Sequence, residues 1–383
     1  MAAISSIHTA LFAHLAFWIS GVALAYTFVG YGALMRWLAR RPPLEHKVPD
    51  QPLEVCVVIV AHNEAKRIGP RIENLLASDY PPEKLRVLLV SDGSTDDTVA
   101  QAQRLDPHRL TILTQATRAG KAAGLNAALA RATGEIVVFT DARQRFASDA
   151  IARLAAHFTD PSIGAVSGEL EIEASSSATG AGVDAYWRYE KQLRAAESRL
   201  DSCIGCTGAI YAIRRSLFTP IPSDTLLDDV VIPMQIAARG ARVIHDSQAL
   251  AFDPQTLDPS REKRRKRRTL AGNFQMLFRH PGWLLPWRNR LWWQLISHKY
   301  LRLAAPFFLL TAFAANVALT PRLFYQATLA LQILFYAAAA LGFLPRSRRL
   351  KVLALPAGFV FLNLMVLRGF LLYLTRGNRA GWN

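Results

Sequence analysis

Acidic residues stand at the ends of apolar runs in this 383-residue sequence. Val55 to Ala61 is unbroken apolar and ends at His62-Asn63-Glu64; Leu85 to Val90 ends at Ser91-Asp92-Gly93; Glu135 to Thr140 ends at Asp141-Ala142-Arg143. Further on, Leu226-Leu227 leads into Asp228-Asp229. Carboxylates gathered at one edge can accept hydrogen bonds from a base or ribose, ligate a hard cation and take a proton from a hydroxyl. Sugar transfer from a nucleotide diphosphate needs all three, because a base must be held, a departing pyrophosphate neutralised and an acceptor oxygen deprotonated. Of these acids, Asp92 can accept from a base and ribose, Asp141 can reach the ribose or a divalent cation (Mg2+ or Mn2+), and Asp229, at a helix start, can take an acceptor's proton; spacing alone assigns none of these roles.

Those acids need elements that aim them at one place. The short apolar runs have the pattern of strands buried on both faces of a parallel sheet. Between them, Ala65 to Ala77 and Lys121 to Ala132 carry helical spacing, so strand and helix alternate as in a doubly wound α/β layer. Ligands of such sheets sit beyond the carboxyl ends of the strands, where the acids are. The globular part continues through an apolar run at Ile163 to Val166, a long helix from Ala181 to Leu200 and a helix opened by Asp228-Asp229 and stopped by Gly240, as far as about Phe252.

The composition is 51% hydrophobic and 19% charged, with a net charge of +16. The basic residues cluster beside apolar stretches instead of covering a folded face, which excludes nucleic acid as the expected partner and favours membrane lipids. Three cysteines imply no disulfide framework. Residues 1 to 35 hold no Lys, Arg, Asp or Glu, and the first basic residues, Arg36, Arg40 and Arg41, follow the apolar stretch. That order predicts a retained anchor with its amino end outside and the globular domain on the cytoplasmic face of the plasma (inner) membrane.

The expected layout is an anchor over 1–41, a Pro-bounded linker over 42–53, the globular domain over 54–279, a Trp-rich amphipathic helix lying flat over 280–302, and spans over 303–383. Leu303 to Thr320, Leu323 to Leu344 and Val352 to Leu374 are the apolar stretches of that last part, with a basic loop at Arg346 to Lys351. Four spans with both termini outside is the simplest arrangement. Arg368, deep in the last stretch, is expected to snorkel outward.

Six short motifs in this order carry a family resemblance: Val57-Val58-Ile59-Val60-Ala61-His62-Asn63-Glu64, Ser91-Asp92-Gly93-Ser94-Thr95-Asp96, Lys121-Ala122-Ala123-Gly124-Leu125-Asn126, Thr140-Asp141-Ala142, Thr207-Gly208-Ala209 and Asp228-Asp229. The chain resembles the membrane-integrated family 2 glycosyltransferases, the group of cellulose, hyaluronan and poly-N-acetylglucosamine synthases. The resemblance implies a GT-A domain inserted between transmembrane helices, a nucleotide-sugar donor of the UDP-linked kind and inversion at the anomeric carbon. It also implies a saccharide or lipid acceptor, as in exopolysaccharide synthesis. By the same comparison Ala61, Asn63, Glu64, Asp92, Lys121, Asp141, Arg143, Arg265 and Arg268 face the donor, Thr207 and Gly208 the acceptor, Asp229 is the base with Asp228 beside it, and Asp141 holds the metal.

Two positions depart from the family pattern. Arg143 stands where the Asp-X-Asp motif has its second acid, so either Asp141 holds a cation with other groups or Arg143 itself grips phosphate. Arg265-Lys266-Arg267-Arg268-Thr269 keeps the arginine of the Gln-X-X-Arg-Trp motif and loses its glutamine and tryptophan. Loss of that aromatic platform weakens the case for a long polymer. It leaves open transfer of one sugar to a polyprenyl phosphate or glycolipid, and, in another class, a non-catalytic subunit that binds nucleotide sugar. Each acid also has a structural reading, Asp92 as a turn residue and Asp228 or Asp229 as helix-start acids.

Overall fold

Six of the seven residues of Val55–Ala61 (β1) are buried, which explains why the run has no polar alternation: helices cover both faces of the strand. In the computed structural model, which describes residues 2–40, 51–173, 180–254, 259–344 and 350–376, β1 lies between Leu85–Asp92 (β2) and Ile136–Thr140 (β4) and is parallel to both. Leu110–Gln115 (β3) extends this parallel half. The other half is mixed. Ile210–Arg214 (β7) is antiparallel to β4, Ile163–Glu173 (β6) is antiparallel to β7, and Arg242–Pro254 (β8) is parallel to β6, with the short Arg145–Phe146 (β5) at the edge. The spatial order of the eight strands is β3-β2-β1-β4-β7-β6-β8-β5.

One face of the sheet is covered by Ala65–Leu76 (α3), Thr98–Ala102 (α4) and Ala150–Ala156 (α6), whose Ile68, Ile72, Ile151 and Leu154 pack on Val57, Ile59 and Leu89. Lys121–Leu129 (α5) and Asp228–Ala238 (α8) cover the other. There Leu125, Val230 and Met234 meet Val58, Phe139 and Tyr211, and the same core runs on without a seam to Leu295, Tyr300, Leu303 and Val366. Gly124 sets the depth of α5, since a Cβ there would come within 2.6 Å of Val60.

Among the described residues, four helices are long and apolar enough to cross a membrane: His8–Leu38, Trp292–Ala318, Leu323–Gly342 and Val352–Thr375. The first is Ala2–Ala25 (α1) and Tyr31–Leu38 (α2) joined by a π-helical turn, Tyr26–Gly30. Two more long helices belong to the domain, Gly180–Leu200 (α7) and Pro259–Arg279 (α9).

Two expectations are corrected. No single flat helix forms over 280–302: a 3-10 turn at Pro281–Leu284 precedes Trp292–Gln294 (α10), a π-helical turn over Leu295–Tyr300 and Leu301–Ala318 (α11), which together make one span. Asn289 accounts for the break, its side chain donating to the Trp283 carbonyl and accepting from the Leu291 amide. The last helix, Lys351–Arg376 (α13), follows Leu323–Gly342 (α12) and was expected to carry the chain away from the domain. Its carboxyl-terminal half instead lies along α9, with Phe370 on Phe274 and Tyr373 stacked on Phe278. Gly369 permits the contact, because a Cβ there would approach Leu270 Cβ to 2.6 Å. Arg368, beside it, is exposed rather than buried in the bundle. Residues 42–50 of the linker and the basic loop over 345–349 lie outside the described residues.

Candidate active site

Register assembles the site. Ala61 pairs with Ser91 and Ile59 with Thr140, so residues 62–64, 92–98 and 141–143 emerge at one edge of the sheet. The antiparallel β7 begins at that edge, Ile210 opposite Thr140, which brings Thr207-Gly208-Ala209 beside Asp141.

The first two loops are tied to each other. Asn63, at φ +55°, accepts the Thr95 amide on Oδ1 at 2.8 Å, and His62 Nδ1 lies 2.7 Å from the Asp92 carbonyl. Glu64 turns back to Arg67 in its own helix, and Ala61 is buried in the core. Asp92 is itself buried, and its two carboxylate oxygens accept the amides of Ala119 and Gly120 at 2.6 and 2.9 Å. These residues build the walls of the crevice and fix the start of α5. Gly120, at φ +94°, supplies the backbone conformation that this turn requires.

Lys121 is the hub. Its Nζ lies 3.0 Å from Asp141 Oδ1 and 3.4 Å from Asp228 Oδ2, so one ammonium joins the tip of β4 to the start of α8. Burial alone would lower its pKa, but Asp141, Asp228 and Asp229 outweigh that and raise it. For Asp141 burial pushes upward, and the Lys121 ammonium, helped by Arg143 and Arg268, reverses this and holds the carboxyl below its ordinary value. Arg268 on α9 therefore stands at this end of the crevice. Arg265 is exposed and, among the described residues, contacts none of these acids. Arg143 donates to Asp253 Oδ2 at 2.5 Å, so the residue that replaces the expected acid is anchored by an acid from β8. Beneath them Arg71, buried, donates to Thr140 Oγ1 at 2.7 Å and stacks on Phe146; burial lowers its pKa to about 9.

Asp229 sits on the opposite side of Lys121. Its carbonyl accepts the Cys206 amide at 2.7 Å, and a Cβ at Gly208 would come within 2.8 Å of its Oδ2. Only glycine leaves that oxygen accessible. Burial, then repulsion from Asp228, pushes the Asp229 carboxyl up to about 6, against the pull of Lys121, Lys299 and Arg194. Such a value suits a proton acceptor near neutral pH. Thr207 accepts on Oγ1 from Arg194 at 2.9 Å and its amide donates to Ser167 at 2.9 Å. Cys203 and Cys206 are free and buried, packing rather than chelating.

Sequence reasoning missed Asp253, Arg71, Arg194 and Lys299. Arg194 lies inside a long helix of mixed composition, where no spacing marks one cation apart from another, whereas Lys299 sits in an apolar span, where the cost of burying its charge was the available signal. Among the described residues no group of three or more His, Cys, Asp or Glu is placed to hold a metal. The donor set fits a cation held by one carboxylate, Asp141, with a ligand's phosphate oxygens completing the shell, a mode that Mg2+ commonly uses.

Residues 56–220 match the glycosyl transferase family 2 model. The mannosyltransferase PcManGT from Pyrobaculum calidifontis, solved in complex with GDP-Man and Mn2+, aligns with a TM-score of 0.72 and 26% identity, covering 95% of this chain and 100% of that one. The mixed sheet is accordingly of the GT-A kind. An N-acetylglucosaminyltransferase of Rhizobium meliloti (strain 1021) is 29% identical over 251 residues, 59% of this chain and 58% of that protein. A beta-monoglucosyldiacylglycerol synthase of Synechocystis sp. is 33% identical over 117 residues, 30% of this chain and 24% of that protein. The chain thus spans between a quarter and three fifths of these two curated relatives.

Proposed function

Because residues 56–220 form a glycosyltransferase family 2 domain, we propose that this protein moves a sugar from a nucleotide-diphosphate donor to an acceptor at the base of its apolar helices, with inversion. The observation that carries this reading is the Lys121 bridge, which puts Asp141 and the Asp228-Asp229 pair in one crevice. Base and ribose lie along the loops that Asp92 and Asn63 brace, and the diphosphate lies toward Asp141, Arg143 and Arg268.

The acceptor oxygen approaches past Gly208. Its proton passes to Asp229 as the oxygen bonds to the anomeric carbon and the carbon–oxygen bond to the diphosphate breaks, the bonding pair leaving on the diphosphate. Arg268, and Arg143 aimed by Asp253, meet the charge that develops there. A divalent cation on Asp141, as the Mn2+ complex of PcManGT suggests, would share that load. PcManGT was solved with GDP-Man and the curated names give no nucleotide, so UDP-linked and GDP-linked sugars are both to be assayed. We place the domain on the cytoplasmic face, where the arginines that follow the first span belong.

Transfer of one sugar to a lipid-linked acceptor is favoured over polymer synthesis by Thr269, which leaves no aromatic platform at that position, and by the end of α13 packing on α9. The test is a donor screen with membrane-embedded protein, reading nucleoside diphosphate release with and without Mg2+ or Mn2+ and sizing the product. Release from one donor, abolished in Asp229→Asn, is expected. Product formation that survives Asp229→Asn would leave the non-catalytic subunit as the better reading.

A further inference from the structure

Two spans hold α7, and α7 in turn holds the loop beside Asp229. Tyr31, Met35 and Ala39 of α2 pack against Leu193 and Ala196 of α7, and a Cβ on Gly32 would come within 2.4 Å of Tyr189 Oη, so the contact leaves no room for a side chain there. His298 lies near the Tyr31 ring, with centroids 6.4 Å apart, and is fully buried in the second span's π-helical turn. Such turns within helices are frequent at functional sites. Its Nε2 is 2.7 Å from Glu190 Oε1 and its Nδ1 2.8 Å from Glu197 Oε1, so one ring links successive turns of α7. Arg302 donates to Glu190 Oε2 at 2.7 Å, Tyr31 to Glu197 Oε1 at 2.6 Å, and the Ile204 amide to Glu197 Oε2 at 3.4 Å. All four carboxylate oxygens therefore have donors.

A buried ionisable cluster is a poor device for merely joining two helices, since an apolar contact of the same volume holds them as well or better. What a fully satisfied network adds is register, because each donor has one place to stand. The register set here is that of Arg194, which shares a helix face with both acids, four residues after Glu190 and three before Glu197. Arg194 donates to Thr207 Oγ1 at 2.9 Å. Glu197 reaches the same loop through the Ile204 amide, and two residues on the Cys206 amide donates to the Asp229 carbonyl at 2.7 Å. Both routes end beside Gly208, the residue that leaves Asp229 Oδ2 accessible.

We propose that His298 is a positioning residue for the transfer reaction. By fixing Glu190 and Glu197 it sets where α7 delivers Arg194 and Glu197 to residues 203–208, so the wall beside Asp229 takes its working shape only with the second span seated on α7. The part this plays in transfer rests on the glycosyltransferase reading; the hold on the loop does not. On this account the second span is a component of the active site as well as an anchor.

Amide hydrogen exchange on the full-length protein in detergent tests the hold with neither donor nor acceptor present, because exchange reads local opening. His298→Gln keeps a polar side chain but loses the two fixed ring nitrogens that face the two acids. The amides of Ile204, Cys206 and Thr207 should then exchange about tenfold or more faster than in wild type, while those of residues 121–126, at the start of α5, stay within about twofold. Tyr31→Phe removes one hydroxyl from Glu197 and keeps the ring's packing. It should give the same pattern at about threefold, and it decides the question if His298→Gln does not fold. Unchanged exchange at 204–207 overturns the proposal. So does a rise of equal size at 121–126, because the cluster would then be a general brace. In transfer, read as nucleoside diphosphate release, His298→Gln should lower kcat by about tenfold with UDP and GDP affinity unaltered; a matching loss of nucleotide affinity also overturns it. Wild-type protein that releases no nucleoside diphosphate from any donor counts against the glycosyltransferase reading instead, and the exchange result stands apart from it.

Discussion

The two sides of the crevice are built on different terms. On the donor side each charged group already has a partner within the fold: Asp92 takes two backbone amides, Asp141 takes Lys121, and Arg143 takes Asp253. On the side of Gly208, burial and repulsion from Asp228 hold Asp229 against its own tendency to ionise. The first side is charge-paired as it stands, while the second keeps a carboxyl whose ionisation its surroundings oppose. Preorganisation suits the half that grips a large, highly charged leaving group, and a carboxyl that resists ionising suits the half that must move a proton.

The contrast breaks most severely at the proton acceptor. Asp229→Asn should cut transfer by about a hundred- to ten-thousand-fold, the range of positioned general bases, with nucleotide affinity, read by calorimetry, little changed. The same variant should melt higher than wild type at pH 7.5. Its carboxyl has a folded value of about 6 against an ordinary 3.8, so stability present at low pH is lost as pH rises through 6. Removing the charge should recover on the order of 1–2 kcal/mol once solvent screening is allowed for.

Lys121→Met strikes both sides at once. Loss of the ammonium removes the cation that joins Asp141 to Asp228 and leaves Asp141 with only the weaker help of Arg143 and Arg268, and both nucleotide affinity and turnover should fall, turnover by about a hundredfold. Turnover that fell with nucleotide affinity intact would separate the two halves that the bridge is taken to join.

Arg143→Ala should raise the donor KM by about tenfold, as for a charge-assisted contact of ~1.4 kcal/mol, and leave the acceptor KM unchanged. Asp253→Asn should do the same more weakly, by about threefold, since it only aims the guanidinium. An acceptor effect of equal size would erase the distinction between sides. The smallest effect expected is on the pH profile: kcat should rise with a midpoint near 6 as Asp229 ionises, and Arg143→Ala, on the far side, should not move it.

Much of the donor side could be read from residue order. A strand buried on both faces must be apolar throughout and must end where polarity returns, so β1, β2 and β4 and the acids at their tips are written locally. Gly208 and the Asp228-Asp229 pair were likewise found by motif. The split of residues 280–302 and the course of α13 were not, because apolar composition is the same for a helix in lipid and one laid on protein. Asp253, at the end of a strand 110 residues from Arg143 in sequence, could not be found from spacing at all.

By itself, then, the chain's order of residues determined which carboxylates stand at strand ends, which stretches are apolar and long enough to cross a membrane, and that an arginine, Arg143, follows Asp141 two positions on. Tertiary structure alone decided that Lys121 joins Asp141 to Asp228, that Arg143 is aimed by Asp253, and that Arg194 holds Thr207 beside Gly208. The physical reason is range. Burial pattern and turn chemistry act between near neighbours and leave a periodic trace, whereas the field at a carboxylate sums over every charge nearby, whatever its distance along the chain.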